Sequence, residues 1–251
     1  MQIAELVAFC DQLLASARFR DSALNGLQVE GRGTTQRLAC AVSVSQRVIE
    51  QAIAWGADTL LVHHGLFWGE RAGPISGVLR QRLALLLRHD LALIAYHLPL
   101  DAHPELGNNA QLAHALGLQP VEPFAEIGGM PIGLIAQAAL RPSLASLVAR
   151  VRDVTGREPL VLPGGPEPIE RLAIVSGAGA HTLPEAAARG CAALLTGEAR
   201  EPSMALAREL GITLIAAGHE ATERLGVQAL SAELAKHFGL ETTFLPDPNP
   251  V

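Results

Sequence analysis

The 251-residue sequence has only three cysteines, Cys10, Cys40 and Cys191, and none stands at C-x-x-C spacing. Each lies in an apolar stretch, so they read as buried thiols of a reducing compartment rather than a disulfide frame or a zinc ribbon. A basic run is missing, and the formal net charge is −6. That argues against general nucleic-acid binding, which needs Lys and Arg to replace phosphate counterions. The apolar stretches stop short of the ~20 residues a membrane span requires. The opening MQIAELVAFCDQLL lacks a charged n-region and a small-residue cleavage site, so it does not read as a signal peptide. The expectation is a soluble cytoplasmic protein that does not act on membranes. No G-x-S-x-G, Walker loop or cysteine-nucleophile signature is present, and no tandem repeat or low-complexity tract appears.

What is there is an alternating pattern. Hydrophobic residues make up 49% of the chain, enough for a large core. The run 38–44 (LACAVSV) is continuously apolar, as a strand buried on both faces is. Ser45 then offers an N-cap for a helix through Trp55, and Gly56 offers its stop. Strands are expected at 58–64 and 91–97, with helices from Pro74 to about His89 and from Asn108 to Leu116. In the second half, strands at 132–138, 171–176, 191–196 and 212–217 alternate with helices near 143–155, 182–189, 202–210 and 221–238. The fold class is α/β with largely parallel sheets covered on both faces. Residues 119–130 read as a softer joint, and the Pro- and Gly-rich 159–170 as a loop. One domain of two fused lobes over 1–251 is expected: about 1–125 with the C-terminal segment, and about 126–235.

Chemistry gathers at three strand ends. His63 and His64 close one apolar run. His97 closes a second and has Asp101 four residues later. His219 closes a third and has Glu223 four residues later. In open α/β sheets, ligands bind beyond the carboxyl ends of the strands. Each feature has a plain reading by itself. His63 and His64 point to opposite faces of a strand unless the chain turns there, and Gly65 supplies the freedom to turn. Asp101 suits a turn, with Pro99 barring a regular helix. Glu223 suits the first turn of a helix, where the dipole favours a carboxylate. Three coincidences at corresponding strand ends are harder to accept than one metal centre. Four imidazoles and two carboxylates suffice for two divalent ions, with positions left for water or substrate. Imidazole and carboxylate without thiolate suit zinc, iron or manganese and argue against a closed structural zinc site. One carboxylate can bridge ions ~3.5–4 Å apart, and such a pair acidifies a water and polarises a carbonyl or phosphoryl oxygen.

Other features carry less. His89, His103, His114, His181 and His237 read as surface residues. VSGAGAHT (175–182) resembles part of a glycine-rich phosphate loop but lacks the third glycine, and a tight turn is the favoured reading. Glu198 and Arg200 end another strand and are candidates to line the same cleft, with Glu198 the nominee for a general acid.

At these residues the chain resembles the Nif-three-like dinuclear-metal family, whose members are often labelled GTP cyclohydrolase 1 type 2 homologues. The likeness runs through SALNGLQVEG (22–31), SVSQRVIEQAIAWGADTLLVHHGLFW (43–68), HLPLDAHPELGNNAQLAHALGL (97–118), the SGAG loop, TGE (196–198) and GHEATERLGVQAL (218–230). The resemblance implies that His63, His64, His97, Asp101, His219 and Glu223 are the metal ligands, with Glu223 the bridge. It implies a three-layer fold of two similar lobes with the metal pair in the cleft between them, and a toroidal homohexamer. The chain is too short for the inserted middle domain of longer relatives. HHG stands where HHP is usual, which loosens the turn but removes no ligand. The implied function is metal-dependent hydrolysis of a small substrate such as a nucleotide. The alternative is a non-catalytic metal-handling protein, a metallochaperone or a hexameric scaffold.

Overall fold

The computed structural model describes residues 1–69 and 73–251. In chain order the elements are α1 (Ile3–Leu13), β1 (Gly26–Val29), β2 (Arg37–Ser43), α2 (Gln46–Trp55), β3 (Thr59–His64), α3 (Gly77–Arg88), β4 (Ala92–Ala95), α4 (Leu98–Asp101) and α5 (Asn108–Ala115). They continue with β5 (Gln119–Ile127), β6 (Met130–Gln137), α6 (Leu144–Thr155), β7 (Leu160–Leu162), β8 (Arg171–Val175), α7 (Leu183–Ala188) and β9 (Ala193–Thr196). The last are α8 (Ser203–Leu210), β10 (Thr213–Ala216), α9 (His219–Phe238) and β11 (Glu241–Phe244). No helix among the described residues is long and apolar enough to cross a membrane.

Two compact units result: residues 1–100 with 226–247, and residues 101–225 with 248–251. The sequence reading set the first passage at about 125; here it falls at Leu100–Asp101.

The first unit holds a sheet of order β1-β4-β3-β2-β11. Three of its pairings, β4–β3, β3–β2 and β2–β11, are parallel, and β1 runs against its neighbour β4. β2 is buried almost throughout, as its unbroken apolar run requires. The turn into α2 follows the expected chemistry. The Ser45 hydroxyl accepts from the Val48 amide at 3.1 Å, a cap worth about 1 kcal/mol, and Gly56 closes the helix at φ 77°. Val48, Ile49 and Ala52 of α2 pack with Leu60, Val62, Leu86 and Leu93 in the core of this unit.

The second unit holds a sheet of order β5-β6-β8-β9-β10-β7. Only β8–β9 and β9–β10 are parallel; β5–β6, β6–β8 and β10–β7 are antiparallel. The expectation of largely parallel sheets therefore holds for the first unit, while the second is mixed. The reason lies in two stretches read as joint and loop. Residues 119–130 are mostly strand: Ile127 pairs with Met130 across Gly128 and Gly129, both at positive φ (60° and 83°). A two-residue hairpin turn of type I′ demands that conformation at both positions. Within 159–170, Leu160–Leu162 adds a short antiparallel edge. The core of this unit gathers Leu112, Leu147, Val151, Leu172, Ile174, Leu195 and Ile215.

Candidate functional site

β3 is flanked by β2 and β4 in parallel register, and all three end together, at Ser43, His64 and Ala95. The flanking ends supply what the histidines need. His63 is fully buried, and its Nδ1 lies 2.9 Å from the Tyr96 carbonyl oxygen just past β4. His64 turns its Nδ1 to the Ser43 hydroxyl at the end of β2, 3.0 Å away. His97 Nδ1 lies 2.9 Å from Asp21 Oδ1. A carbonyl or carboxylate only accepts, so Nδ1 of His63 and of His97 carries a proton, and Nε2 is the nitrogen that would face a metal. One ligand atom from each of His63, His64 and His97 lies within 4.8 Å of the other two. The adjacent pair works without leaving the strand. Its rings lean toward opposite neighbours yet stay 4.5 Å apart between centroids.

Asp21 is the anchor that sequence reading missed. Its two oxygens accept from four groups: the Ala23 amide, His97 Nδ1, the Asn25 side-chain amide and the Leu98 amide, at 2.9, 2.9, 3.0 and 2.9 Å. Asn25 in turn accepts from the His97 amide at 2.8 Å. Burial alone raises the Asp21 carboxyl; the hydrogen bond and charge of His97, with the amides of Ala23 and Asn25, outweigh it and hold the group down at about 2. The D-x3-N spacing in DSALNG was the available signal.

Gly65 does not loosen the turn after His64, and its backbone is not at positive φ. The Gln28 side-chain amide occupies the place where a Cβ would sit. That amide accepts from the Leu66 N–H at 2.7 Å and donates to the Leu24 carbonyl at 2.6 Å, so the HHG turn is tied down.

In the second unit the parallel strands β8, β9 and β10 end at Val175, Thr196 and Ala216, and the chemistry again follows. α9 starts at His219, so Glu223 lies one turn on, with its Oε1 3.2 Å from His219 Nε2. The first-turn carboxylate is instead Glu220, which forks onto Arg224. His219 Nδ1 is hydrogen-bonded to Glu198 Oε1. Glu198 therefore orients His219, a task the sequence did not suggest. Asp101 Oδ1 accepts from Asn108 Nδ2 at 2.8 Å and from the Ser176 hydroxyl at 3.3 Å, and neither contact is that of a turn residue or cap.

A carboxylate oxygen of Asp101 lies within 4.8 Å of one of Glu223, although the two residues are only 8% and 3% exposed. At an effective dielectric of ~20, such a pair of charges repels by about 3 kcal/mol. Burial works to lower His219, but Glu223 and Glu198 outweigh it and lift the imidazole to about 9. A divalent cation bound to these donors would take the place of the proton that the raised imidazole holds. Gly177, at φ 61°, keeps space beside it: a Cβ there would collide with Glu223 Oε1 and sit 2.9 Å from His219 Nε2. The donor chemistry and this cradle fit a divalent cation. These groupings are of the kind that hold a metal ion.

The SGAG loop is the tight turn expected. The Gly177 and Gly179 amides are taken by the hydroxyls of Thr222 and Thr196, at 3.1 and 2.9 Å, and are not offered to an anion. His89, His114, His181 and His237 are exposed, as read, and Arg200 is exposed as well. His103 is half-buried and accepts from the Glu105 and Leu106 amides.

Comparison with known proteins gives a consistent picture. The family model described as Duf34/NIF3 (NGG1p interacting factor 3) matches residues 1–250. A Pseudomonas aeruginosa protein named "GTP cyclohydrolase 1 type 2 homolog" is 44% identical over 99% of this chain and 98% of its own length. An Escherichia coli K12 protein of the same name is 42% identical, with both chains fully covered. Among solved structures, one described as "protein ybgI, unknown function" superposes with a TM-score of 0.94 at 41% identity, and TTHA1606 from Thermus thermophilus with 0.87 at 36%, each over the whole of both chains. With the strand-end histidines, the carboxylates and the whole-chain match in hand, the chain belongs to the Duf34/NIF3 family.

Proposed function

We propose that this chain is a dinuclear metal-binding protein that hydrolyses a small substrate, with His63, His64, His97, Asp101, His219 and Glu223 as the metal ligands. The observation that carries the reading is the close, buried Asp101–Glu223 pair with His219 against Glu223, carboxylate and imidazole donors of the types a divalent cation takes. Zinc, iron and manganese all suit imidazole and carboxylate donors. When bound, such ions supply Lewis acidity and a water acidified toward neutral pH.

The chain's own residues hold the donors still. Tyr96, Ser43 and Asp21 fix the rings of His63, His64 and His97 through Nδ1. Glu198 does the same for His219, and Asn108 and Ser176 fix Asp101. Outer partners of this kind set ring orientation and ligand basicity. A nucleotide is the first substrate class to try, because relatives at 42–44% identity carry the name "GTP cyclohydrolase 1 type 2 homolog". By the same family reasoning the working assembly is a homohexamer in the cytoplasm, and light scattering of the purified protein tests its size.

The test is elemental analysis after reconstitution with zinc, iron or manganese, followed by a turnover screen over nucleotides, phosphoesters and amides. About two ions per chain are expected, as a two-metal centre requires, together with metal-dependent turnover of one class. No bound metal under any of the three conditions sinks the assignment. Full loading without turnover moves it to a metal-handling protein.

A further inference from the structure

Trp68 is the most exposed aromatic side chain beside the histidine cluster, and the metal chemistry does not use it. It remains 42% exposed, with its ring centroid 4.9 Å from His97, edge to face, and 5.9 Å from His64. Exposing a large indole is unfavourable, and a ring whose task were to seal the histidines would be buried. This one is also held in place. Its Nε1 donates to the Gly65 carbonyl at 3.1 Å. The backbone around it is laced to 22–24: the Leu24 amide donates to the Phe67 carbonyl at 3.1 Å, the Gly69 amide to the Ser22 carbonyl at 2.5 Å, and Ala23 bridges to Trp68. Gln28 ties the other end of the loop at Leu66. Leu24 on the facing segment is exposed too, at 51%. The result is a fixed, partly open aromatic surface next to imidazoles that offer metal-binding nitrogens.

We infer that Trp68 is a stacking platform for a planar heteroaromatic ring, so that the substrate carries a nucleobase-like group beside the atoms that react. The inference rests on the proposed metal-site reading. Stacking on an indole tolerates any π-face, so it selects for a flat ring without naming the base. A pre-fixed ring also costs little conformational entropy on binding. Trp68 would be a specificity residue, leaving the metal ligands to hold their ions.

The sequence has two tryptophans, Trp55 and Trp68, so Trp55→Phe leaves Trp68 as the sole indole reporter. In metal-loaded protein of that background, GTP, ATP and UTP should quench the emission, and inorganic tripolyphosphate should not. In the native background, Trp68→Ala should weaken nucleotide binding about tenfold, leave tripolyphosphate binding and metal content unchanged, and be largely rescued in Trp68→Phe. Equal nucleotide affinity in Trp68→Ala overturns the inference. So does loss of metal in that variant, which would make the ring part of the histidine packing. If the loaded protein turns over a ring-free phosphoester but binds none of the three nucleotides, this inference fails and the hydrolase reading stands. A native chain without metal overturns both, and elemental analysis registers that before any nucleotide is added.

Discussion

In the first unit three imidazoles sit beside one another, and the charge nearby, on Asp21, is held by four donors. In the second, Glu223 and Glu198 contact a single imidazole, and the buried Asp101 brings a carboxylate oxygen within 4.8 Å of one of Glu223. The architectural device is shared: donors follow the carboxyl ends of parallel strands, and outer partners fix the rings through Nδ1. The electrostatics are opposite. An imidazole offers a lone pair when neutral, whereas ionised carboxylates in close company repel one another. The first cluster is thus rich in nitrogen donors and the second in carboxylates, whose mutual repulsion a bound cation would relieve.

The largest effect should come from breaking that contrast at Asp101. Asp101→Asn keeps an oxygen for Asn108 and Ser176 and turns an amide toward Glu223. Metal binding should fall at least about a hundredfold, since a charged ligand is lost. In the presence of a chelator the same variant should be more stable than the native chain by about 1 kcal/mol, because repulsion between buried like charges is gone. His63→Ala should behave in the other direction without metal, losing about 2 kcal/mol through the cavity it leaves in a fully buried position. Urea unfolding in a chelator reads both signs. Destabilisation by Asp101→Asn would mean that the acid is structural and the contrast false. Glu223→Ala is expected to strip metal and leave the fold intact; a variant unfolded by circular dichroism would contradict this.

The six proposed ligand positions stand out in the sequence because His63, His64, His97 and His219 lie at or just past the ends of apolar runs, which mark strands buried on both faces, and Asp101 and Glu223 follow two of those histidines by four residues. The ends of β3, β4 and β10, and the boundaries of α2, follow from composition and capping chemistry alone. The partners of those ligands were not legible. Asp21 lies 76 residues from His97 in the sequence, and Ser43 looks like the last residue of any strand until β2 is paired with β3. Glu198 was noticed for the right strand end, but only geometry shows that it holds His219 Nδ1. The β5–β6 hairpin was missed because two prolines and a Gly-Gly pair read as a joint, although Gly-Gly between apolar flanks is also a hairpin signal.

A middle-sized effect sharpens the comparison in both units. Asp21→Asn and Glu198→Gln each replace a charged anchor of a proposed ligand, and metal affinity should drop about 10- to 100-fold in each. Ser43→Ala removes only a neutral hydroxyl from His64, so its loss should be a few-fold. Competition titrations against a fluorescent chelator distinguish these. If Ser43→Ala costs as much as Asp21→Asn, ring orientation matters more than the charge behind it.

The smallest effect concerns pH in metal-free protein and falls on the first unit. Burial pushes the thiols of Cys10 and Cys40 up to about 12 and about 11 from an ordinary value of 9.0, with the Asp11 charge adding to the first and Ser231 opposing the second. An acid whose folded value is raised stays protonated in the native state while the unfolded chain begins to ionise. Its contribution is therefore complete below pH 9.0 and shrinks as pH climbs from there toward the folded value. By pH 10 each thiol should cost on the order of 1 kcal/mol. Cys10→Ala should flatten that decline between pH 9 and 10.5, after allowance for its own packing loss at pH 7. Cys191 in the second unit is raised as well, chiefly by burial, but Arg171 and Arg189 beside it favour the thiolate. Cys191→Ala should change the alkaline slope less than Cys10→Ala does, and an equal change would mean that the two units meet alkali alike.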